Sequence, residues 1–253
     1  MRLLLALLTI GSVLVNVVSA EAAPTAQEIV TQARAKLGVE NKLNAVKSLT
    51  FEGKSYTVDG KEIAVVQLQY KAPGKRREYG LINGGNIETI KGTDGLEAFE
   101  KAVNLSTKEQ QVRALGNAEV AVFTDYYYID MGFFAAPPRG KLTYVGEGKQ
   151  QGKDCYILDY QYAGGLVLRR YFDKSTSLLI AHEMWSSKTD GSNKVLVVEE
   201  GEIVEAGIRF PKRTVIYEQD KDTKEYKRAG YVDYSKIVVN DNIPDSAFAF
   251  PMP

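Results

Sequence analysis

One histidine and one cysteine, His182 and Cys155, are the single members of their types in 253 residues. As a pair they would make a thiol nucleophile with an imidazole base. No third motif that would orient the imidazole flanks His182, which sits between Ala181 and Glu183. It reads as a strand histidine. Cys155 stands with Tyr156 and Ile157 in an apolar run and reads as a small buried hydrophobe. One of each excludes, within the chain, a zinc site built on paired cysteines and paired histidines or on a histidine triad. A lone cysteine also excludes an intrachain disulfide.

The carboxylates offer three further candidates. Asp220, Asp222 and Glu225 have the spacing of a calcium loop, but Glu225 occupies the place where such a loop needs glycine. That segment reads as a solvated hairpin tip. Glu199, Glu200, Glu202 and Glu205 surround Gly201; paired carboxylates serve glycoside hydrolysis, yet neighbours on one hairpin more often form a charged edge that resists aggregation. Gly84-Gly85-Asn86 opens no helix and is no phosphate loop, and Asn104-Leu105-Ser106 fits a glycosylation sequon. The 32 basic and 32 acidic side chains cancel, which argues against a nucleic-acid surface. The chain is therefore expected to be no enzyme, with no cofactor and no metal.

Aromatic side chains are what the chain holds in quantity: fifteen tyrosines, nine phenylalanines and one tryptophan, all from Phe51 onward. Tyrosine rings suit a cavity mouth or a sheet face. Alternation puts Phe51, Val66, Leu68, Tyr70, Tyr156, Leu158 and Tyr160 on one side of a sheet, as the candidate lining of an apolar cavity. A register error of one residue would turn a whole strand's set outward. Phe123, Tyr127, Met131 and Phe134 are the candidate lid.

The elements that position these residues follow from periodicity. Ile29, Ala33 and Leu37 recur at helical spacing between Thr25 and Gly38, with Glu28 completing a capping box. Asn41 to Val46 reads as a further helical turn. From Ser48 the period changes to two, and Asp59-Gly60 marks a hairpin between Leu49–Gly53 and Ala64–Tyr70. A meander of about five strands runs to Glu100. Thr107 to Phe134 is then read as a helical insert, apolar almost all round, with Glu119, Thr124, Asp125 and Asp130 as its clearly polar members. Such a helix either plugs the core or covers a cavity as a lid; a strand over Glu119–Tyr128 is the alternative. Pro137-Pro138 closes the insert. Seven further strands run from Lys141 to Val239, separated by Gly164-Gly165, Asp190-Gly191, Gly207 and Asp220–Thr223. The fold class is mainly β (α+β): a large curved antiparallel sheet, an incomplete barrel of about eleven strands, wrapped on an N-terminal helix and a helical lid or plug. Residues 24–253 are expected to form one domain.

The N-terminus has one charge at Arg2, a mostly apolar run from Leu3 to Val18, and small residues at Val18-Ser19-Ala20 and Ala20-Glu21-Ala22. That is a secretory signal peptide over residues 1–20, with cleavage after Ala20 or Ala22. The expectation is an exported, periplasmic, soluble mature form that spans no membrane.

Several stretches carry a family resemblance. They are Val46-Lys47-Ser48-Leu49, Tyr70-Lys71-Ala72-Pro73-Gly74-Lys75, Thr93-Asp94-Gly95 and Gly152-Lys153-Asp154-Cys155-Tyr156. Later come Arg170-Tyr171-Phe172-Asp173 with Leu178-Leu179-Ile180, Gly207-Ile208-Arg209-Phe210-Pro211, and Ile243-Pro244-Asp245-Ser246-Ala247-Phe248. With these the chain resembles the periplasmic outer-membrane lipoprotein-sorting proteins, the LolA-like group. The resemblance implies an incomplete barrel with a concave apolar face under helices. It also implies a non-catalytic carrier of a lipoprotein acyl chain or other lipid, or, as the alternative, an envelope sensor with a filled core that docks an envelope protein partner. The family has an arginine before the strand-end proline that holds its lid closed. This chain has Ala72 there, with Arg76 and Arg77 just beyond.

Overall fold

Helix α1 (Ala26–Leu37) starts where its capping residues dictate. The Thr25 hydroxyl accepts the Glu28 amide at 3.2 Å, and the Glu28 carboxylate accepts the Thr25 amide at 2.7 Å. Ile29, Val30 and Ala33 form the buried stripe, and a short helix α2 (Glu40–Asn44) follows. The computed structural model describes residues 23–134, 140–187 and 194–251. The proposed signal peptide, its cleavage site, Pro137-Pro138 and the Asp190-Gly191 turn lie outside the described residues.

Strands β1 (Ser48–Thr57), β2 (Glu62–Lys71), β3 (Lys75–Ile82), β4 (Ile87–Thr93) and β5 (Ala98–Asn104) form the expected meander. Strand β6 (Gln110–Ala114) extends it, and helix α3 (Asn117–Met131) follows. The second half adds β7 (Gly140–Gln150), β8 (Lys153–Tyr162), β9 (Leu166–Asp173), β10 (Leu179–Ser186) and β11 (Val195–Glu200). After them come β12 (Ile203–Glu205), β13 (Ile208–Phe210), β14 (Arg213–Gln219) and β15 (Tyr226–Val239). Among the described residues thirteen strands make one antiparallel sheet in the order β6-β5-β4-β3-β2-β1-β15-β14-β11-β10-β9-β8-β7. Strand β15 joins the two halves by pairing with β1, Leu49 opposite Val239. The sheet curls but does not close, since β6 and β7 are its two edges.

Two details depart from expectation. The insert is not helical from Thr107. Gln110–Ala114 is exposed at every position, so it has no apolar face for a helix to bury, and it pairs through its backbone with β5. The helix begins only after Gly116, whose amide the Glu119 carboxylate accepts at 3.0 Å. The run from Lys194 to Val204 also breaks, at Gly201, and the next one breaks at Pro211, which has no amide to donate. This leaves a separate ribbon, β12–β13, which meets the end of α1 through a Gly38–Ile208 bridge.

Helix α3 touches β3, β4 and β5 at one wing of the sheet and β9 at the other. It spans the opening of the incomplete barrel, which is why its sequence is apolar all round. Two of its polar residues, Asp125 and Asp130, point inward as well. The buried Asp125 carboxylate accepts the amides of Gly164 at 3.0 Å and Leu166 at 3.2 Å, in the turn between β8 and β9. At the other end, three arginines from separate elements hold the helix terminus. Arg170 Nη2 donates to the Ile129 carbonyl at 2.9 Å, Arg34 donates to the Phe133 carbonyl, and Arg76 Nε reaches the Asp130 carboxylate at 3.4 Å. Cations at a helix C-terminus also meet the negative end of its dipole. On β3 the contact to α3 is thus made by Arg76, four residues beyond Ala72. The main core lies between α1, α3 and the concave face, around Tyr127, Met131, Leu158, Leu168 and Phe172. Each large side chain buried there contributes on the order of 1.5–3 kcal/mol.

Candidate functional site

A cavity of about 160 Å³ lies between the C-terminal half of α3, the end of α1 and the concave face. Its apolar walls are Ala33 and Leu37 from α1, Ile129 from the end of α3, Phe133 and Phe134 just beyond it, and Phe51, Leu68, Leu179 and Phe210 from the strands. Phe210 packs edge-to-face against Phe51 and tilted against Phe134, with ring centroids 5.7 and 5.2 Å apart. The volume matches an apolar cavity that admits a benzene-sized guest.

The floor is not apolar. Arg170 on β9 stands directly opposite His182 on β10, and both line the cavity. His182 faces Val197 on β11, so Glu199, two residues on, is its diagonal neighbour on the same face. Glu199 is paired in turn with Thr214 on β14, whose hydroxyl lies 3.5 Å from the Tyr234 hydroxyl of β15. A polar band therefore crosses five adjacent strands. Asp130 and Tyr70 face it from the far wall, and Arg209 from the ribbon, where it also pairs with Glu202 at 3.0 Å.

Enclosure sets the protonation of this band. Burial, with the Arg170 charge beside it, pushes the His182 imidazole down to about 3 and keeps it neutral. Burial pushes the Glu199 carboxyl up to about 7, against the opposing pull of Arg170 and Arg209. Burial also raises Asp130, with Arg76 opposing, and pushes the Tyr234 phenol up to about 12.

These shifts have opposite consequences for stability. The folded chain binds fewer protons than the unfolded one at His182 between about pH 3 and 6.5, so that contribution is lost as pH falls. At Glu199 the folded chain binds more, so its contribution is lost as pH rises from about 4.5 to 7. The two slopes cancel between about 4.5 and 6.5. His182→Phe removes one of them. Urea unfolding at pH 7, 5.5 and 4.5 should show the variant gaining on the parent by up to about 1.4 kcal/mol per pH unit of acidification. Parallel pH profiles for the two proteins would refute the neutral, enclosed histidine.

The sequence-selected residues divide in the structure. Phe51, Leu68, Tyr70 and Phe134 line the cavity. Leu158, Tyr160, Tyr127 and Met131 are filled core, between 0% and 2% exposed. Tyr156 is half-buried against that core on the same face. Val66 and Phe123 are half-buried and not part of the cavity lining. Cys155 and His182 are not brought together. Cys155 packs with Tyr171 and Ala181 on the opposite face of the sheet from Arg170 and His182. Nor do the four glutamates form one charged edge: Glu199 turns into the cavity, while Glu200 is exposed. Asp220 behaves as a hairpin tip, accepting the amides of Asp222 and Thr223 at 3.0 Å. No cluster of metal-ligating side chains occurs among the described residues.

The sequence singles out His182 and Glu199 only within other groupings and does not point to Arg170, although a signal for Arg170 exists. Arg170 alternates with Leu168 and Phe172, both fully buried, so an arginine stands at a core position of its strand. A charge at such a position flags a polar site.

No protein-family model matches the chain, and no curated protein matches it by sequence. Solved structures do. A LolA superfamily protein from Nitrosomonas europaea aligns over 90% of this chain and 98% of its own, at TM-score 0.57 and 14% identity. A DUF1329 family protein from Desulfovibrio piger aligns over 90% and 98%, at TM-score 0.55 and 13% identity. A putative outer membrane lipoprotein-sorting protein domain from Vibrio parahaemolyticus aligns over 88% and 97%, at TM-score 0.55 and 9% identity. At these identities the likeness is one of fold, and it extends over nearly the whole described chain. The open antiparallel sheet bridged by α3 is the fold shared by LolA superfamily and outer membrane lipoprotein-sorting proteins.

Proposed function

We propose that this chain is an exported, non-catalytic carrier of the cell envelope, which holds the acyl chain of a lipoprotein or another lipid between its sheet and α3. The signal-like residues 1–20 support export to the periplasm, and residues 24–253 act as one unit. The observation that carries the reading is the partly open cavity under α3, walled by Phe51, Phe133, Phe134 and Phe210. Binding there draws on buried apolar area, worth about 25 cal/mol per Å² before ordering costs. A cavity of about 160 Å³ takes only part of a lipid chain, so loading requires α3 to move. No helix among the described residues is long and apolar enough to cross a membrane.

The same small volume favours a second reading, an envelope sensor or interaction module that docks a protein partner while its core stays filled. Purification of the mature chain without detergent, followed by native mass spectrometry, separates the two. Co-eluting lipid, or uptake of added fatty acid, is the expected result. A lipid-free protein that takes up none would overturn the carrier reading in favour of the second.

A further inference from the structure

We propose that Arg170, His182 and Glu199 form the receptor for the carboxylate head of a long-chain fatty acid, whose chain lies along the apolar walls of the cavity. This rests on the lipid-binding reading above and names the ligand class for that site. Arg170 is 4% exposed, yet no acidic side chain forms an ion pair with it among the described residues. Its Nη2 reaches the Ile129 carbonyl, while its Nε has no partner. The guanidinium is held in place by the Phe133 and Tyr160 rings, 4.2 and 5.0 Å from their centroids. The Glu199 carboxyl on the same floor feels the Arg170 charge but is held up to about 7, so near neutral pH it is only partly ionised and balances the guanidinium incompletely. The cation stands at a cavity whose other walls would suit an alkyl chain.

Charge and hydrogen-bonding capacity select the head group. With His182 neutral, Arg209 paired with Glu202 and Arg76 paired with Asp130 and Glu78, Arg170 is the cavity cation left without an ion pair among the described residues. A carboxylate cancels that charge once. Glu199, displaced toward its protonated form by burial, then donates a proton to the ligand oxygen instead of repelling it. A phosphate monoester, carrying more than one negative charge near neutral pH, would leave an excess beside Glu199. The chain also has a way out. Leu37 and Arg209 belong both to the cavity and to an open groove between α1 and the β12–β13 ribbon, where Val39 and Val204 are exposed.

Titration calorimetry with decanoate, decanol and decyl phosphate, each below its aggregation concentration, tests this on the intact mature chain. Decanoate should bind at least about tenfold more tightly than decanol, as expected of hydrogen bonds to a charged group. Arg170→Met should abolish that preference, and Arg170→Lys should restore part of it. The parent comparison needs no variant, so a poorly folded Arg170→Met leaves the test intact. Equal binding of decanoate and decanol by the parent overturns the head-group receptor while leaving a lipid carrier standing. Tighter binding of decyl phosphate overturns the carboxylate assignment. Failure of all three to bind overturns the carrier reading along with it.

Discussion

Asp125→Ala should cost about 3–5 kcal/mol and release the N-terminal half of α3 from the sheet. The carboxylate is 4% exposed and accepts two amides, Gly164 and Leu166, from the turn between β8 and β9. Alanine leaves both donors buried without those bonds, at about 1–3 kcal/mol each, and more where the lost partner is charged. Against a typical domain stability of about 5–15 kcal/mol that is a large share. Asp125→Asn retains one acceptor oxygen and turns its NH2 group toward the second amide, so it should lose about half as much. Gly164→Ala attacks the same contact from the other side. Its Cβ would come within 2.5 Å of the Ala121 carbonyl oxygen and of Asp125 Oδ2, so helix and turn must separate. Because both substitutions break one contact, the double variant should cost much less than their sum. Urea unfolding gives the energies, and hydrogen exchange across Asn117–Met131 locates the loss. A cost under about 1 kcal/mol for Asp125→Ala would show that the turn does not hold the helix.

Asp125 also marks where sequence reading succeeds and stops. Local signals were recoverable because their causes are local. The Thr25–Glu28 capping box, the Asp59-Gly60 hairpin and the alternation of Leu68 and Tyr70 each depend on residues within a few positions. The pairing of β1 with β15 sets Leu49 opposite Val239, and nothing in either strand's composition selects the other. The inward direction of Asp125 is of the same kind. On a helical wheel it is one of the few polar residues of an apolar helix, and it would ordinarily be assigned to solvent. Only the position of the β8–β9 turn makes it a buried acceptor.

The polar floor of the cavity is the clearest case. Arg170, His182 and Glu199 come from three strands, and their neighbours suggest nothing unusual: a pair of arginines, a lone strand histidine, a run of glutamates. Taken together, Glu199 and Glu200 look like a charged edge. Strand parity separates them, sending Glu199 with Val195 and Val197 to the concave face. The aromatic candidates show the converse. Leu158 and Tyr160 are correctly placed on the concave face, but α1 and α3 fill the space above them, so they are core and not cavity wall. Facing inward follows from alternation; facing a void depends on what packs opposite, which is a property of the whole fold.

The second large effect concerns the other end of α3. Replacing Arg34 and Arg76 together with alanine should speed the uptake of a fluorescent fatty acid by roughly 10- to 100-fold. Arg34 donates to the Phe133 carbonyl and ties α1 to α2 through Glu40 at 2.9 Å. Arg76 meets Asp130 at 3.4 Å and lies over the Tyr126 ring at 5.4 Å. Hydrogen bonds to charged groups contribute about 1.5–3 kcal/mol each, and every 1.4 kcal/mol removed from the closed state is about tenfold in the opening equilibrium. Without Arg76 the enclosed Asp130 carboxyl loses the cation that opposes its burial, so it rises further and takes up a proton. The closed state is then destabilised more at higher pH, and the acceleration should grow as pH rises. Arg113 supplies the control, since it joins Glu100 and Glu119 at the N-terminal end of the helix. Arg113→Ala should leave uptake close to the parent rate, because exposed ion pairs of this kind contribute little. Stopped-flow mixing reads all three rates. If the Arg113 variant accelerates uptake as much as the double variant does, α3 does not open from its C-terminal end. If none of them changes the rate, the helix is not the barrier to loading. The expected order places the moving end of α3 over the cavity, where Phe133 and Phe134 form its roof, and leaves Asp125 as the point about which it turns.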